Sequence, residues 1–509
     1  MGPISHTELV LYAVAVAILG VLVHRFRRLV FRGVPDLSAP AVGLLRIALG
    51  LALLRALPRL ELPDAAPGGG SESEAALWGP AGWVEYLGTH WDLRDALLTA
   101  TFVALVAFTV GAAARIAYAL AVLGIVVRLT VAQEYGVGSH AWVIAPLVLA
   151  PLVIVRWGDA LSVDALVRRL RRRPSAARPP GPHYGLAVWL PGLTLGCAWA
   201  AAAYAKLHNT GIEWITSGAV RYHWAEDYLS AKVDWGGWVA GNEPVAIFLS
   251  ACGVGIELLF VTHIFFRSQW VRLAYGLAGA SLLAGFYLFQ GVLWYAWWTI
   301  LLFFLPWQAM ADLLARGVAA VRRAGRGATE RPADRFAFLG RTAPVAAAIV
   351  AFLVVQQAAM AREGVEQMPF FSNYPMYSYT RESPAEFNAE LAPIKFYRYR
   401  VLAEGAGPPR DVTSRLDPNQ VGYLRDAALW RMRYGDDPLD EDQREALATV
   451  RDSYRERFGE DLRRVRLLTT PRLFDFANGG LTTKGAPRVP PFEIDLEAFS
   501  ARPVSSETA

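Results

Sequence analysis

LAVWLPGLTLGCAWAAAAYAKLHNTGIEWITSGAVRYHW, residues 186–224, is the stretch on which the reading of the chain turns. Residues 186–205 contain no charged side chain, and Lys206 follows at once. About 20 mostly apolar residues are what a helix needs to cross the hydrocarbon, because every backbone group in lipid must find its hydrogen bond within the segment. A membrane-spanning helix that ends on a lysine is therefore the local expectation, and that lysine needs an explanation.

Working outward, the same kind of run recurs. The expected spans are 9–23, 41–57, 96–113, 116–132, 141–155, 186–205, 245–266, 272–290, 292–309 and 344–359, a ten-helix reading in which 116–132 and 141–155 are short enough to be tilted or partly re-entrant. Across 509 residues the chain is 54% hydrophobic and 19% charged with 17 Trp, which excludes an ordinary soluble enzyme. The first run has the length of a signal-peptide core, but HRFRRLVFR follows it rather than a cleavage site, so it reads as a retained helix.

The formal charge of +5 is no nucleic-acid footprint, since its arginines fall in short clusters between apolar runs. The clusters at 24–32, Arg115, 156–178, 267–272 and 316–341 all fall on one side of a ten-helix chain. The opposite loops, with GGGSESE in 58–95 and EWITSG and AEDY in 207–243, are acidic or mixed and aromatic. The positive-inside rule makes the arginine side cytoplasmic, which places the amino terminus and everything after about residue 360 outside. A multi-pass protein of the cell membrane is the expected localisation.

Three regions follow: a helical membrane domain over 1–362, an extracytoplasmic α+β domain over 363–500 and a disordered tail over 501–509. YRYRVLAEGAG alternates like a strand entering a turn, whereas YLRDAALWRMRY and EDQREALATVRDSYRERFGEDL have helical spacing. Cys197 and Cys252 both lie in apolar runs and supply neither a disulfide framework nor a zinc spacing. No metal is expected, and Walker, GxSxG and HExxH motifs are absent from the sequence.

Ionisable residues at membrane depth cost at least about 2–3 kcal/mol each, so they are the candidate functional positions. Lys206 has two readings: a helix-end lysine whose ammonium snorkels to water, or an amine tucked among aromatics and neutral enough to act as a base. His140 opens the 141–155 run on the same side and is either an interfacial anchor or a proton-exchanging partner. Glu257, in GVGIELLFVTH, lies too deep to snorkel and requires a counter-charge, for which Arg46 and Arg128 are the candidates; the three are expected to form structural ion pairs. Asp164, within SVDA, is assigned to helix capping.

These residues also fall in a family order. LLRIALGLALL, the SHAWVIAPLVLAPLVIVRWGDALSVDALVRR segment, YAKLHNTGIEWITSG, GVGIELLF and YPMYSYTRE, spread from about residue 41 to about 430, resemble successive segments of the HTTM family, whose best-known members are the vitamin K-dependent gamma-glutamyl carboxylases. The resemblance implies a membrane helical domain with an outer domain docked on it. It further implies a reduced quinone (vitamin K or menaquinone-like) as cofactor and a peptide or protein glutamyl substrate on the outer side. In that family the matching lysine deprotonates the reduced quinone, oxygen addition yields a strong base that removes the glutamyl gamma proton, and carbon dioxide adds. Carried across, Lys206 is the candidate base and His140 its stabilising partner, with Trp214, Tyr287 and Gln290 as candidate cofactor contacts. The chain departs from the pattern where Phe286 is followed by Tyr287 instead of histidine, and where the second lysine of a doublet is absent, Ala205 preceding Lys206. The rival reading is a non-catalytic membrane protein that holds or exports a lipid or peptide, with the outer domain recognising a partner. Membrane lipids are partners in both readings, and nucleic acid in neither.

Overall fold

A computed structural model describes residues 6–60, 90–134 and 142–360 apart from 322–338 and a few single positions, and most of 381–503. The chain divides into two compact units, one formed by 1–64, 72–218 and 247–380, the other by 65–71, 219–246 and 381–509.

The first unit is helical. Its elements are α1 (His6–Arg25), α2 (Arg27–Val30), α3 (Ala39–Ala56), α4 (Trp91–Val110), α5 (Ala114–Glu134), α6 (Ile144–Leu149), α7 (Val163–Leu170), α8 (Pro182–Asn209) and α9 (Glu213–Thr216). After the excursion into the second unit, which holds α10 (Val220–Glu226) and α11 (Trp235–Gly241), come α12 (Glu243–Phe260), α13 (Gln269–Gln290), α14 (Tyr295–Ile300), α15 (Trp307–Val321) and α16 (Leu339–Met360).

Six of these helices are long and apolar enough to cross a membrane, or eight if each of two bent pairs counts as one span. The ten expected segments all meet a helix, but four are not simple spans. The 9–23 run bends by 81° into the following short helix, and the 292–309 run bends by 59° at its Leu305–Pro306 break. A residue before proline is driven out of the α region, which accounts for the second break. The 141–155 run shrinks to α6 plus a 3-10 turn, Ala150–Ile154, because Pro151 has no N–H to continue the helix. The apolar part of α16 is likewise short, over 344–356.

Helix α8 is the hub. Its apolar window is 78% buried, against 22–61% for the other five full-length candidates. Small residues let neighbours approach its backbone: a methyl on Gly196 would lie 2.7 Å from Val261 Cα, and one on Gly192 only 2.2 Å from His263 Nε2. Close backbone approach through small residues is how helices pack where lipid supplies no hydrophobic drive.

At one end of the unit the arginine-rich loops converge. Arg267 Nε donates to Arg32 O at 2.6 Å, and Leu37 bridges to Gly181. Arg46 also points to this end. Its guanidinium donates to the carbonyls of Trp157 (2.8 Å), Ala160 (3.3 Å) and Leu161, gathering a turn that has no helical partner for those oxygens. Gly111 closes α4 with φ +76°, and a side chain there would strike Arg46 Nη1 at 2.7 Å. Asp164 is structural, as its motif suggested, but it caps α5: its carboxylate accepts from the N–H groups of Ala113 (2.8 Å) and Ala114 (2.9 Å). Ser162 caps α7 instead.

The second unit is α+β. Helices α17 (Pro384–Lys395), α18 (Pro418–Tyr434) and α19 (Glu441–Phe458) accompany an antiparallel sheet of order β2-β1-β3-β6-β7. Strand β1 (Arg398–Glu404) pairs with β2 (Arg410–Asp411) and, with Val401 opposite Leu467, with β3 (Arg464–Thr470). Strand β3 pairs in turn with β6 (Phe492–Asp495). One face buries Val401, Val465, Leu467, Phe492 and Ile494 against Leu424, Leu447, Val450 and Tyr454 of α18 and α19, following the two-residue alternation of a half-buried sheet. The expected tail at 501–509 is corrected in part: Ser500–Pro503 forms β7, whose Ala501 is buried opposite Ile494. A separate hairpin, β4 (Leu473–Asp475) and β5 (Gly480–Thr482), packs with α10, α11 and α17 around Tyr222, Phe387, Phe474 and Phe476. The 219–246 segment, read from sequence as a loop, is therefore part of this unit.

Candidate functional site

The C-terminal third of α8, WAAAAYAKLHN, is built from strong helix formers and carries the helix without interruption past Lys206. Thr210 then donates its hydroxyl to Lys206 O at 2.8 Å and closes the last turn. Side chains on a helix lean toward its N-terminus, so Lys206 leans back into the bundle. Glu257 is on α12, which runs antiparallel. Gly196 packs on Val261, and from that contact Lys206 lies about 15 Å along α8 while Glu257 lies about 6 Å along α12. The difference is bridged by the long lysine reaching inward and the carboxylate reaching toward it.

The result is a paired, buried charge couple. Lys206 Nζ donates to Glu257 Oε1 at 2.5 Å and to Oε2 at 2.7 Å, and each residue is only 4% exposed. Trp214, from α9, lies with its ring centroid 5.2 Å from the ammonium and is itself buried. Such a ring stabilises a cation by about 0.5–2 kcal/mol. The snorkelling reading of Lys206 is thus overturned.

The expected structural ion pairs are corrected as well. Both oxygens of Glu257 are taken by Lys206, so neither Arg46 nor Arg128 is its counter-charge. Arg46 serves backbone carbonyls, and Arg128 is buried on α5. Sequence reasoning placed Glu257 deep and Lys206 at an interface, and so did not join them. The signal was available in the 28-residue length of α8, about 42 Å of helix, which leaves its last turns room to lean over the bundle core.

Of the other candidates, His140 lies outside the described residues. Tyr287 and Gln290 close α13, where Gly291 N–H bonds to Tyr287 O at 3.1 Å in a left-handed C-cap and Gln290 is buried. Aromatic rings line the bundle next to α8: Trp199 is stacked on Trp297 at 6.4 Å and meets Phe260 edge-on at 4.3 Å, while Trp294 packs on Trp297 and Phe286. A second polar cluster that the sequence did not single out lies near Gly192. His263 shares a 2.6 Å hydrogen bond with Phe260 O through Nδ1, and Arg272, stacked over Phe304, donates to Val188 O at 2.7 Å. Among the described residues no group of three or more His, Cys, Asp or Glu could hold a metal ion.

Chemically, a Lys–Glu couple in a dry interior can pass its proton between the two heads with no change in net charge. With the proton on the carboxyl, the amine is a free base held beside an acid. No family model, curated protein or solved structure matches this chain.

Proposed function

We propose that this chain is a multi-pass membrane enzyme of the HTTM, gamma-carboxylase-like kind, in which the Lys206–Glu257 couple moves a proton to and from a lipid-soluble, reduced quinone. The observation that carries the reading is the burial of the couple on the hub helix, with the amine drawn inward under Trp214. The resemblance supplies the reaction class, and the aromatic faces of Trp199, Trp294 and Trp297 suit a flat, apolar ring.

A reduced quinone, when bound, supplies an acidic hydroxyl and, with oxygen, the oxidising power for carboxylation of a glutamyl substrate. Lys206 accepts the hydroxyl proton after handing its own to Glu257, Glu257 holds that proton in place, and Trp214 covers the amine and excludes water. In this reading the arginine-rich end is cytoplasmic, and the amino terminus and the C-terminal α+β unit lie outside. All ten apolar segments then belong to the membrane, the short and bent ones included.

The test is to incubate the purified protein with reduced menaquinone or vitamin K, oxygen, labelled bicarbonate and glutamate-containing peptides. Epoxide formation with label in peptide supports the reading, and neither product across the peptide set refutes it. A second reading is favoured by the two-oxygen pairing itself: a non-catalytic clasp between α8 and α12 in a lipid- or peptide-binding protein. Under that reading a Lys206→Met/Glu257→Leu protein keeps full cellular function, whereas under the first it folds and is inactive.

A further inference from the structure

Helix α7, VDALVRRL, has its faces inverted relative to a soluble protein. Val163, Leu166, Val167 and Leu170 recur at i, i+3, i+4 and i+7, the spacing of one helical stripe, and all four are exposed, Leu170 by 73% and Leu166 by 55%. The polar face is the one bound to the protein. Asp164 accepts from Ala113 and Ala114, Arg168 Nη2 donates to Gly158 O at 2.6 Å, and the preceding Leu161 carbonyl is held by Arg46. The helix is thus fixed in place with its apolar stripe turned away from the bundle.

Arginines frame the stripe. RRLRRR, residues 168–173, supplies five, and Arg169, Arg171, Arg172 and Arg173 are exposed. At about 100° per residue Arg169 and Arg171 fall on opposite flanks of the stripe. The chain turns back at Arg172, φ +53°, with Arg173 N–H bonding to Arg168 O at 2.9 Å, which keeps the cluster at the end of α7.

We propose that α7 lies in the plane of the bilayer surface as an interfacial helix, its apolar stripe among the acyl chains and Arg169, Arg171, Arg172 and Arg173 on the phosphates of anionic lipids. Two features select this occupant. The charge complements anionic headgroups, and in the chain the helix lies between two apolar segments, 144–154 and the hub helix α8. The interaction is independent of any catalytic role for Lys206.

The test uses the full chain in nanodiscs of phosphatidylcholine with a minor fraction of phosphatidylglycerol. Spin-labelled versions of each lipid read which one is held at the protein surface. Wild type is expected to prefer the glycerol lipid, and Arg169→Gln/Arg171→Gln/Arg173→Gln to lose that preference by at least fivefold, the factor for about 1 kcal/mol, which is the contribution of a single arginine at an anionic surface. The corresponding triple lysine variant keeps it. In parallel, a nitroxide at a cysteine replacing Leu170, in a background without Cys197 and Cys252, is expected to be reached by oxygen and shielded from a water-soluble nickel complex. Equal lipid preference in wild type and the glutamine variant, with a Leu170 label as open to nickel as one at Glu497, overturns the proposal. A label shielded from both reagents in every lipid also overturns it, because that outcome identifies a protein neighbour.

Discussion

Glu257→Gln is the most informative single change, because it leaves the Lys206 ammonium in place and removes only its counter-charge. In the native protein that ammonium has bonds of 2.5 and 2.7 Å to one carboxylate and 4% exposure, so water does not screen it. Two unit charges about 4 Å apart interact by about 4 kcal/mol at an effective dielectric of about 20. Removing one member of a buried pair costs about 3–5 kcal/mol, since the partner is left charged and uncompensated. With a shift of roughly 2 °C per kcal/mol for a large helical unit, Glu257→Gln and Lys206→Met should each lower the melting temperature in detergent by on the order of 5–10 °C. The double variant Lys206→Met/Glu257→Leu removes both charges and should recover most of that loss, giving a coupling energy of about 2 kcal/mol or more. Melting within a degree of wild type for Glu257→Gln, or a double variant no more stable than the sum of the singles predicts, refutes the reasoning that the pair is dry and mutually dependent.

Trp214→Leu keeps an apolar lid but loses the ring over the ammonium; a cost of about 0.5–2 kcal/mol is expected, together with faster acetylation of Lys206 by an amine reagent, read by peptide mass spectrometry. In the second unit, Gly479 has φ +67° and faces Gly237, and a Cβ would stand 2.4 Å from the Gly237 carbonyl oxygen. Gly479→Ala should therefore cost more than the ~1–2 kcal/mol of left-handed strain alone and expose the 473–482 hairpin to proteolysis, while Gly422→Ala, which meets nothing, should not. At Asp495 partial burial would raise the carboxyl, but the N–H groups of Ala498 and Glu497 and the Arg464 side chain outweigh it and hold it below its ordinary value of 3.8. A lowered folded value stabilises the fold above the unfolded one, and the contribution is lost as pH falls below about 3.8 and through the lowered value. Hydrogen-exchange protection over 491–503, corrected for intrinsic rates, should fall as pH drops below about 4 in wild type and change less in Asp495→Asn.

The apolar helices were legible because lipid imposes a rule on length: a run of about 20 residues either satisfies its backbone internally or does not span. What composition could not supply was where a run breaks. Pro151 and Pro306 each sit in a stretch that reads as continuous by hydropathy, and each ends a helix for the local reason that proline offers no N–H and restricts its predecessor. Lys206 and Glu257 were both singled out as expensive charges, yet their pairing was not, because depth was judged residue by residue along a helix. Two antiparallel helices with side chains leaning toward their own N-termini bring together positions that differ by about 9 Å along the axis. Arg46 shows the converse, a buried cation whose Nη1 and Nη2 bond to three backbone carbonyls rather than to a carboxylate, a partner that residue type alone does not signal.

The 219–246 segment lies in the chain between Lys206 and Glu257. Its aromatic and acidic composition read as an outer loop, but it is a folded part of the second unit. Arg221 is buried, bonded to Ala240 O at 3.1 Å and to Glu243 at 3.0 Å, with Tyr222 and Phe476 against its guanidinium. Glu243 is also the first residue of α12. The Arg221–Glu243 pair therefore ties α10 to the first turn of α12 inside the second unit, so a stretch that hydropathy leaves as a connection carries a buried cation with its own carboxylate and carbonyl partners.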